Sequence, residues 1–133
     1  MVKYHTLEER IARMKELRKK GYICSQCVAM VFDDVLNLPE EQCERLMAGF
    51  GGGIGGSGEI CGAVTATVML DGMCRYSSPL AKKELYADVR RLNSEFVAAN
   101  GSLLCRELRQ PGKKSCTELI EDAITRCHNE FCS

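Results

Sequence analysis

The 133-residue sequence predicts an all-α fold, a compact multi-helix domain around one buried helix at about residues 59–74, preceded by a glycine-rich loop. Apolar residues recur three and four positions apart along most of the chain, which is the helical period. Two Ser/Thr-x-x-Glu capping boxes mark helix starts, and no pair of alternating strand-like segments is present. A chain of this length can bury one substantial core, so we expect a single domain over residues 1–133.

The first helix is predicted to begin after a capping box formed by Thr6 and Glu9 and to end near Gly21. Its apolar stripe consists of Leu7, Ile11, Met14 and Leu17. We expect the arginines of this helix to face the solvent, namely Arg10, Arg13 and Arg18.

Turn residues delimit the next helices. A second helix is predicted from about Ile23 to the break at Asn37-Leu38-Pro39, and Pro39 then opens a third helix through Met47. The apolar central helix is the fourth. Ser78-Pro79 begins a long fifth helix that Asn100-Gly101 ends.

The C-terminal part of the chain begins with a short segment, residues 103–108, that carries Cys105. A turn at Gln110-Pro111-Gly112 follows it. Ser115 and Glu118 form the second capping box, which opens a last helix to about residue 128. Helical spacing turns Cys116 and Cys127 of this helix inward.

The glycine-rich loop has seven glycines between Gly49 and Gly58 and leads to Glu59-Ile60-Cys61. Glycine is costly to order, so this density requires a geometric reason, such as the approach of backbone amides to an anionic site. We expect that role for the backbone of Gly51, Gly53, Gly55 and Gly62. The G-x-G-x-x-G matches within the loop lack a preceding strand, and no Gly-Lys-Ser/Thr ends the run, so nucleotide binding is disfavoured.

Cys61 is predicted in the first turn of the central helix, where unpaired amides and the positive end of the helix dipole would stabilise a thiolate. The neighbouring Glu59 then has two interpretations. It is a carboxylate favoured by the helix dipole, or it is a proton acceptor for Cys61.

Composition limits the function classes. The chain has 18 basic and 18 acidic residues, which argues against nucleic-acid binding, and only two histidines, which leaves little for histidine-led catalysis. The first twenty residues lack an apolar signal-peptide core, and the longest apolar run, Ile60 to Leu70, is too short to span a membrane. A cytoplasmic location is expected, where richness in cysteine indicates redox or metal chemistry more often than structural disulfides.

Nine cysteines stand out in this composition. Cys24 and Cys27 form a C-x-x-C pair that could bridge or share a metal, or Cys27 is a small core residue. Buried, inert thiols are expected at Cys43, Cys74 and Cys127, and a mobile one at Cys132.

Several motifs together resemble the C_GCAxxG_C_C family of bacterial and archaeal proteins, to which a redox role is ascribed. They are Tyr22-Ile23-Cys24-Ser25-Gln26, Gly51-Gly52-Gly53-Ile54-Gly55, Glu59-Ile60-Cys61-Gly62-Ala63-Val64-Thr65, Cys105-Arg106-Glu107-Leu108, and Cys116 with Leu119-Ile120. Members of the family usually have a glycine three residues after the alanine of the CGA motif, where this chain has Ala66.

The resemblance implies a helical fold and a site of four cysteines, which fall on Cys24, Cys61, Cys105 and Cys116 of this sequence. It also implies a functional link to a transporter, and in related domains an iron–sulfur cluster is suspected.

Three hypotheses remain open. In the first, the four thiols undergo thiol–disulfide exchange or electron transfer with a redox partner protein or a small thiol, as an oxidoreductase would, with Cys61 attacking and Cys24 or Cys105 resolving the mixed disulfide. In the second, the same four cysteines ligate a metal centre, an iron–sulfur cluster rather than zinc. In the third, the chain is a helical partner-binding protein whose cysteines are inert. The sequence leaves the oligomeric state open.

Overall fold

The computed structural model describes residues 4–132, and those residues form eight α-helices and no β-strand. The all-α prediction is therefore confirmed. The helices are α1 (Leu7–Lys19), α2 (Cys24–Met30), α3 (Asp33–Leu36), α4 (Glu40–Met47), α5 (Gly62–Arg75), α6 (Lys82–Asn100), α7 (Cys105–Leu108) and α8 (Cys116–Phe131). Short 3-10 turns lie at Ala48–Phe50 and Pro79–Ala81.

Most predicted helix ends coincide with the observed ones because local side chains determine them. The hydroxyls of Thr6 and Ser115 each accept a hydrogen bond from the backbone N–H of the glutamate three residues later, and each glutamate carboxylate accepts one from the backbone N–H of its N-cap residue, so both capping boxes are present. Gly101 ends α6 with φ of 99°, a conformation that favours glycine.

Two helices share the centre of the core. The predicted central helix, α5, packs against α2, α6 and α8, and its buried residues include Ala63, Ala66 and Leu70. Its last turn reaches the surface, where Met73 is exposed. The short helix α2 is at least as central, because it contacts α1, α4, α5 and α8 and is buried from Cys27 to Met30.

The predicted second helix is two helices, because the chain leaves helical geometry at Val31 and Phe32. The break lies against Arg10, which was expected in solvent and is only 1% exposed. Its guanidinium donates to the carbonyl of Val31, to both carboxylate oxygens of Asp34 at 2.7 and 2.8 Å, and to Nδ1 of His128 at 3.1 Å. The break after α2 supplies the carbonyl acceptor that this buried cation needs.

Among the described residues, no helix combines the length and the apolar character that crossing a bilayer would require.

Candidate functional site

Four cysteines from four separate helices line one small cavity of about 30 Å³. Each begins its helix: Cys24 is the first residue of α2, Cys61 is the N-cap of α5, Cys105 opens α7 and Cys116 opens α8. Gly52, Leu108, Arg109 and Leu119 complete the lining. Thiolates are stabilised at helix N-termini, where the backbone N–H groups have no partner within the helix.

Backbone pairing holds two of these cysteines next to each other. The chain before α5 and the chain before α7 run antiparallel, with one isolated bridge between Ile60 and Leu104. The Cys61 N–H donates to the carbonyl of Leu103 at 2.8 Å, and the Cys105 N–H donates to that of Glu59 at 2.7 Å. The starts of both helices are thereby joined on one side of the cavity.

Gly62 brings α5 against the start of α2. A Cβ at this position would lie 2.5 Å from the sulfur of Cys24 and 3.0 Å from Ser25, closer than real Cβ atoms approach. Only glycine therefore permits the sulfur of Cys24 to lie over the first turn of α5. Ser25 is fully buried and is fixed in turn by its hydrogen bond of 2.7 Å to the carbonyl of Met47.

The four glycines singled out in the sequence have different surroundings. Gly53 is buried with φ of 75°, and a Cβ there would lie 2.8 Å from that of Cys105. Gly51 lies against the side chain of Ile23, and Gly62 against Cys24. Gly55 is exposed and its N–H donates to the carbonyl of Gly49 at 2.8 Å, so this amide is not available to a cysteine.

The loop residue that reaches a cysteine is Gly52, which was not singled out. Its N–H donates to the sulfur of Cys24, as do the N–H groups of Ser25 and Gly62. The glycine density of the loop gave no means of choosing among neighbouring glycines.

Cys24 and Cys61 form a hydrogen-bonded pair in which one thiol is activated. The hydrogen bond from Cys61 and the three backbone N–H donors outweigh burial and lower the pKa of Cys24 to about 6. The same hydrogen bond, together with burial, raises the pKa of Cys61 well above its usual range. The three backbone donors favour Cys24 as the thiol that ionises first, whereas the sequence favoured Cys61.

Glu59 does not serve as a proton acceptor for Cys61. Its carboxylate is exposed and lies 3.6 Å from the guanidinium of Arg106. The backbone of Glu59 has the structural role, because its carbonyl accepts the hydrogen bond from Cys105.

A family model described as "Putative redox-active protein (C_GCAxxG_C_C)" matches residues 22–129, which span all four cysteines of the cavity. The chain belongs to the C_GCAxxG_C_C family. It is also 26% identical over 130 residues to an uncharacterized protein of Archaeoglobus fulgidus, an alignment that covers 84% of this chain and 86% of the relative. No solved structure matches the chain significantly.

The cysteines outside the C_GCAxxG_C_C cavity have separate environments. Cys27 is fully buried and its sulfur lies 3.7 Å from the carbonyl of Tyr22, so it does not line this cavity with Cys24. Burial raises the pKa of Cys27 and of Cys43 to about 11. Cys127 is buried against Thr67 with a pKa near 12.

Two expectations for these cysteines were wrong. Cys74 was expected in the core and is exposed, beside the exposed Met73 on the solvent side of the last turn of α5. Cys132 was expected to be mobile, but it packs on the core and its sulfur lies 3.4 Å from the buried guanidinium of Arg10.

The donor chemistry of the cavity suits a metal centre, but its dimensions do not. A tetrahedral zinc ion places its thiolate sulfurs about 4 Å apart. Within residues 4–132 no three cysteine sulfurs lie within 4.8 Å of one another. A volume of about 30 Å³ admits about two water molecules and is too small for an iron–sulfur cluster unless the surrounding helices separate.

Proposed function

We propose that this protein carries out thiol–disulfide exchange, with Cys24 as the attacking thiolate and Cys61 as the resolving thiol. The hydrogen bond from Cys61 to Cys24 supports this, because it stabilises one thiolate and holds the second sulfur beside it. The lowered pKa of Cys24 also argues against the partner-binding hypothesis with inert cysteines.

The exchange has two steps. The Cys24 thiolate attacks one sulfur of a partner disulfide, and the other sulfur leaves as a thiolate. Cys61 then loses its proton to that thiolate or to water and attacks the Cys24 sulfur. The second half of the partner leaves, the partner disulfide has gained two electrons, and Cys24 and Cys61 are joined.

Cys105 and Cys116 are assigned to the same process because they line the same cavity. A further exchange within the molecule would move the disulfide onto this second pair and restore Cys24 as a thiolate. The four cysteines would then act as two successive dithiols.

The expected partner is a small thiol or a redox protein in the cytoplasm, a reducing compartment that suits nine free thiols. The link to a transporter stays a prediction from the family resemblance.

The competing proposal is a metal centre held by Cys24, Cys61, Cys105 and Cys116. Four thiols at four helix starts around one cavity support it, because their N-termini would stabilise an anionic cluster. An iron–sulfur cluster bound there would transfer single electrons. This proposal requires the cavity to widen.

Anaerobic purification, followed by iron, zinc and acid-labile sulfide analysis and by oxidation with a glutathione redox buffer, separates these proposals. The exchange proposal predicts metal-free protein that loses two thiols on brief, mild oxidation, with Cys24 and Cys61 in one cross-linked peptide before any transfer to Cys105 and Cys116. Iron with labile sulfide and visible absorption would favour the metal centre. Metal-free protein with an unchanged thiol count would contradict both.

A further inference from the structure

The mouth of the cysteine cavity carries an unpaired positive charge. Arg109 lines the cavity directly after α7, and its backbone N–H donates to the carbonyl of Cys105 at 3.0 Å, which fixes its position. Its side chain is exposed and has no hydrogen-bond or ion-pair partner within residues 4–132. A free guanidinium in such a place is available to a carboxylate of a ligand.

A second guanidinium lies nearby. Arg18 is half-buried and donates to the carbonyl of Tyr22 at 3.0 Å and to the hydroxyl of Thr117, the residue after Cys116, at 3.4 Å. Within the described chain Arg18 has no carboxylate partner. The surroundings of Cys24 and Cys116 therefore include two cations that the protein itself does not neutralise.

The acidic groups of this region are already engaged. Glu59 pairs with Arg106 at 3.6 Å, Glu118 accepts from the backbone of Ser115 at 3.0 Å, and Glu107 accepts from the hydroxyl of Ser102 at 2.5 Å. None of the three lines the cavity, where Arg109 is the one cationic residue and no carboxylate is present. An acid group at the lining would therefore meet the guanidinium of Arg109 and no carboxylate of the lining.

Size limits the ligand as well. The space beside the sulfurs is about 30 Å³, enough for the sulfur end of a small molecule, while the rest must stay at the mouth beside Arg109. A ligand that satisfies both conditions has a disulfide a few bonds away from an acid group.

We propose that the substrate is a small anionic disulfide, carrying a carboxylate or similar acid near its sulfur atoms, and that Arg109 selects it by pairing with that acid. This inference rests on the proposed exchange at Cys24. Arg109 contributes to substrate binding only. The bonds formed and broken are those of the two-step exchange described above.

The test compares three disulfides that differ in charge: anionic dithiobis(nitrobenzoate), neutral hydroxyethyl disulfide and cationic cystamine. Rates of mixed-disulfide formation are measured by stopped flow and mass spectrometry on the full chain with Cys74→Ser, which removes the exposed competing thiol. The rates compared are those of the kinetic phase that disappears in Cys24→Ser. For each reagent, the rate with the protein is divided by its rate with a free small thiol under the same conditions. We expect this ratio to be highest for the anionic reagent and lowest for cystamine.

Arg109→Gln should lower the rate of mixed-disulfide formation with the anionic reagent roughly three- to tenfold and leave the rate with the neutral reagent unchanged. High salt should lower the rate with the anionic reagent in the same way. Arg109→Lys should retain most of the preference. Arg90→Gln removes an equal charge from the exposed face of α6 and should change nothing.

An equal effect of Arg109→Gln on all three reagents, or no effect on any, would overturn the inference while leaving the exchange proposal in place. Absence of a Cys24-dependent phase with every reagent would contradict both proposals.

Discussion

The thiol of Cys61 donates a hydrogen bond to the sulfur of Cys24, where the backbone N–H groups of Gly52, Ser25 and Gly62 also favour the thiolate. The arrangement depends on Gly62, which follows Cys61 and leaves room for the Cys24 sulfur against the first turn of α5. Two consecutive residues, Cys61 and Gly62, thus supply the second sulfur, a backbone donor and the space for the sulfur of Cys24.

Gly62→Ala should disrupt this contact. The added Cβ would lie 2.5 Å from the Cys24 sulfur and 3.0 Å from the Ser25 backbone, so the sulfur must move or α2 and α5 must separate, and we expect a loss of about 1–3 kcal/mol in the free energy of unfolding. The displaced sulfur would also lose backbone donors, and the pKa of Cys24 should rise. Denaturant unfolding and alkylation rates measure the two effects.

Gly72→Ala is the matched control, because it lies in the same helix with nothing within 4 Å of the added Cβ. It should be neutral or stabilise the protein by up to about 1 kcal/mol. Equal destabilisation by both variants would show that the contact with Cys24 is not the cause.

Arg10→Ala should be strongly destabilising. It removes both donors to Asp34 and the donor to the Val31 carbonyl, and we expect a loss of about 3–5 kcal/mol in the free energy of unfolding. Arg13→Ala on the same helix breaks a half-exposed ion pair with Glu40 and should cost about 1 kcal/mol or less. Similar losses for both variants in thermal unfolding would contradict the buried role of Arg10.

Asp71 should make stability depend on pH. It is fully buried in α5, and as a carboxylate it would leave Oδ2 without a donor. Burial, and a hydrogen bond donated to Asp88, raise its pKa to about 7. The folded state therefore holds a proton that the unfolded state loses above about pH 4, and stability should fall as the pH rises from about 4 to 7.

Asp71→Asn should remove this dependence, since an amide donates to Asp88 at every pH. Above pH 7 the variant should be more stable than the parent by roughly 2–4 kcal/mol, with little difference near pH 4. Asp88, Glu130, Arg75 and Arg91 form the charged surroundings and are present in both proteins. Parallel stability curves for the two proteins between pH 4 and 8 would contradict this assignment.

Cys27→Ala should leave the redox property intact. Its sulfur is buried away from the cavity, so we expect a loss of about 1 kcal/mol in stability and an unchanged exchange rate at Cys24. Cys24→Ser, its partner in the C-x-x-C motif, should abolish exchange while retaining the helical circular dichroism spectrum. Equal loss of exchange in both variants would make the C-x-x-C pair the working unit.

Features determined by neighbouring residues were predictable from the sequence. The capping boxes at Thr6 and Ser115 and the αL glycine at Gly101 depend on residues a few positions away. Arg10 shows the opposite case: it lies at helical spacing between Leu7 and Met14, but only the fold brings Asp34 and Val31 to it.

The order of ionisation at the site was not predictable for the same reason. Cys24 and Cys61 both lie at helix starts, and both positions favour a thiolate. What distinguishes them is the donation from Gly52 and Gly62 to Cys24, across 28 and 38 positions of the chain. The family pattern located the four cysteines but carried no information on which thiol would lose its proton.

The central claim is tested most directly by the pH dependence of alkylation at each cysteine, followed by mass spectrometry with iodoacetamide under reducing conditions. Cys24 should reach half its maximal rate near pH 6, and Cys61 should react slowly at neutral pH. In Cys24→Ser the Cys61 thiol should become easier to ionise, since its hydrogen-bonded thiolate neighbour is gone. Alkylation of Cys61 before Cys24 at pH 6, or a Cys24 profile centred near pH 9, would contradict the account.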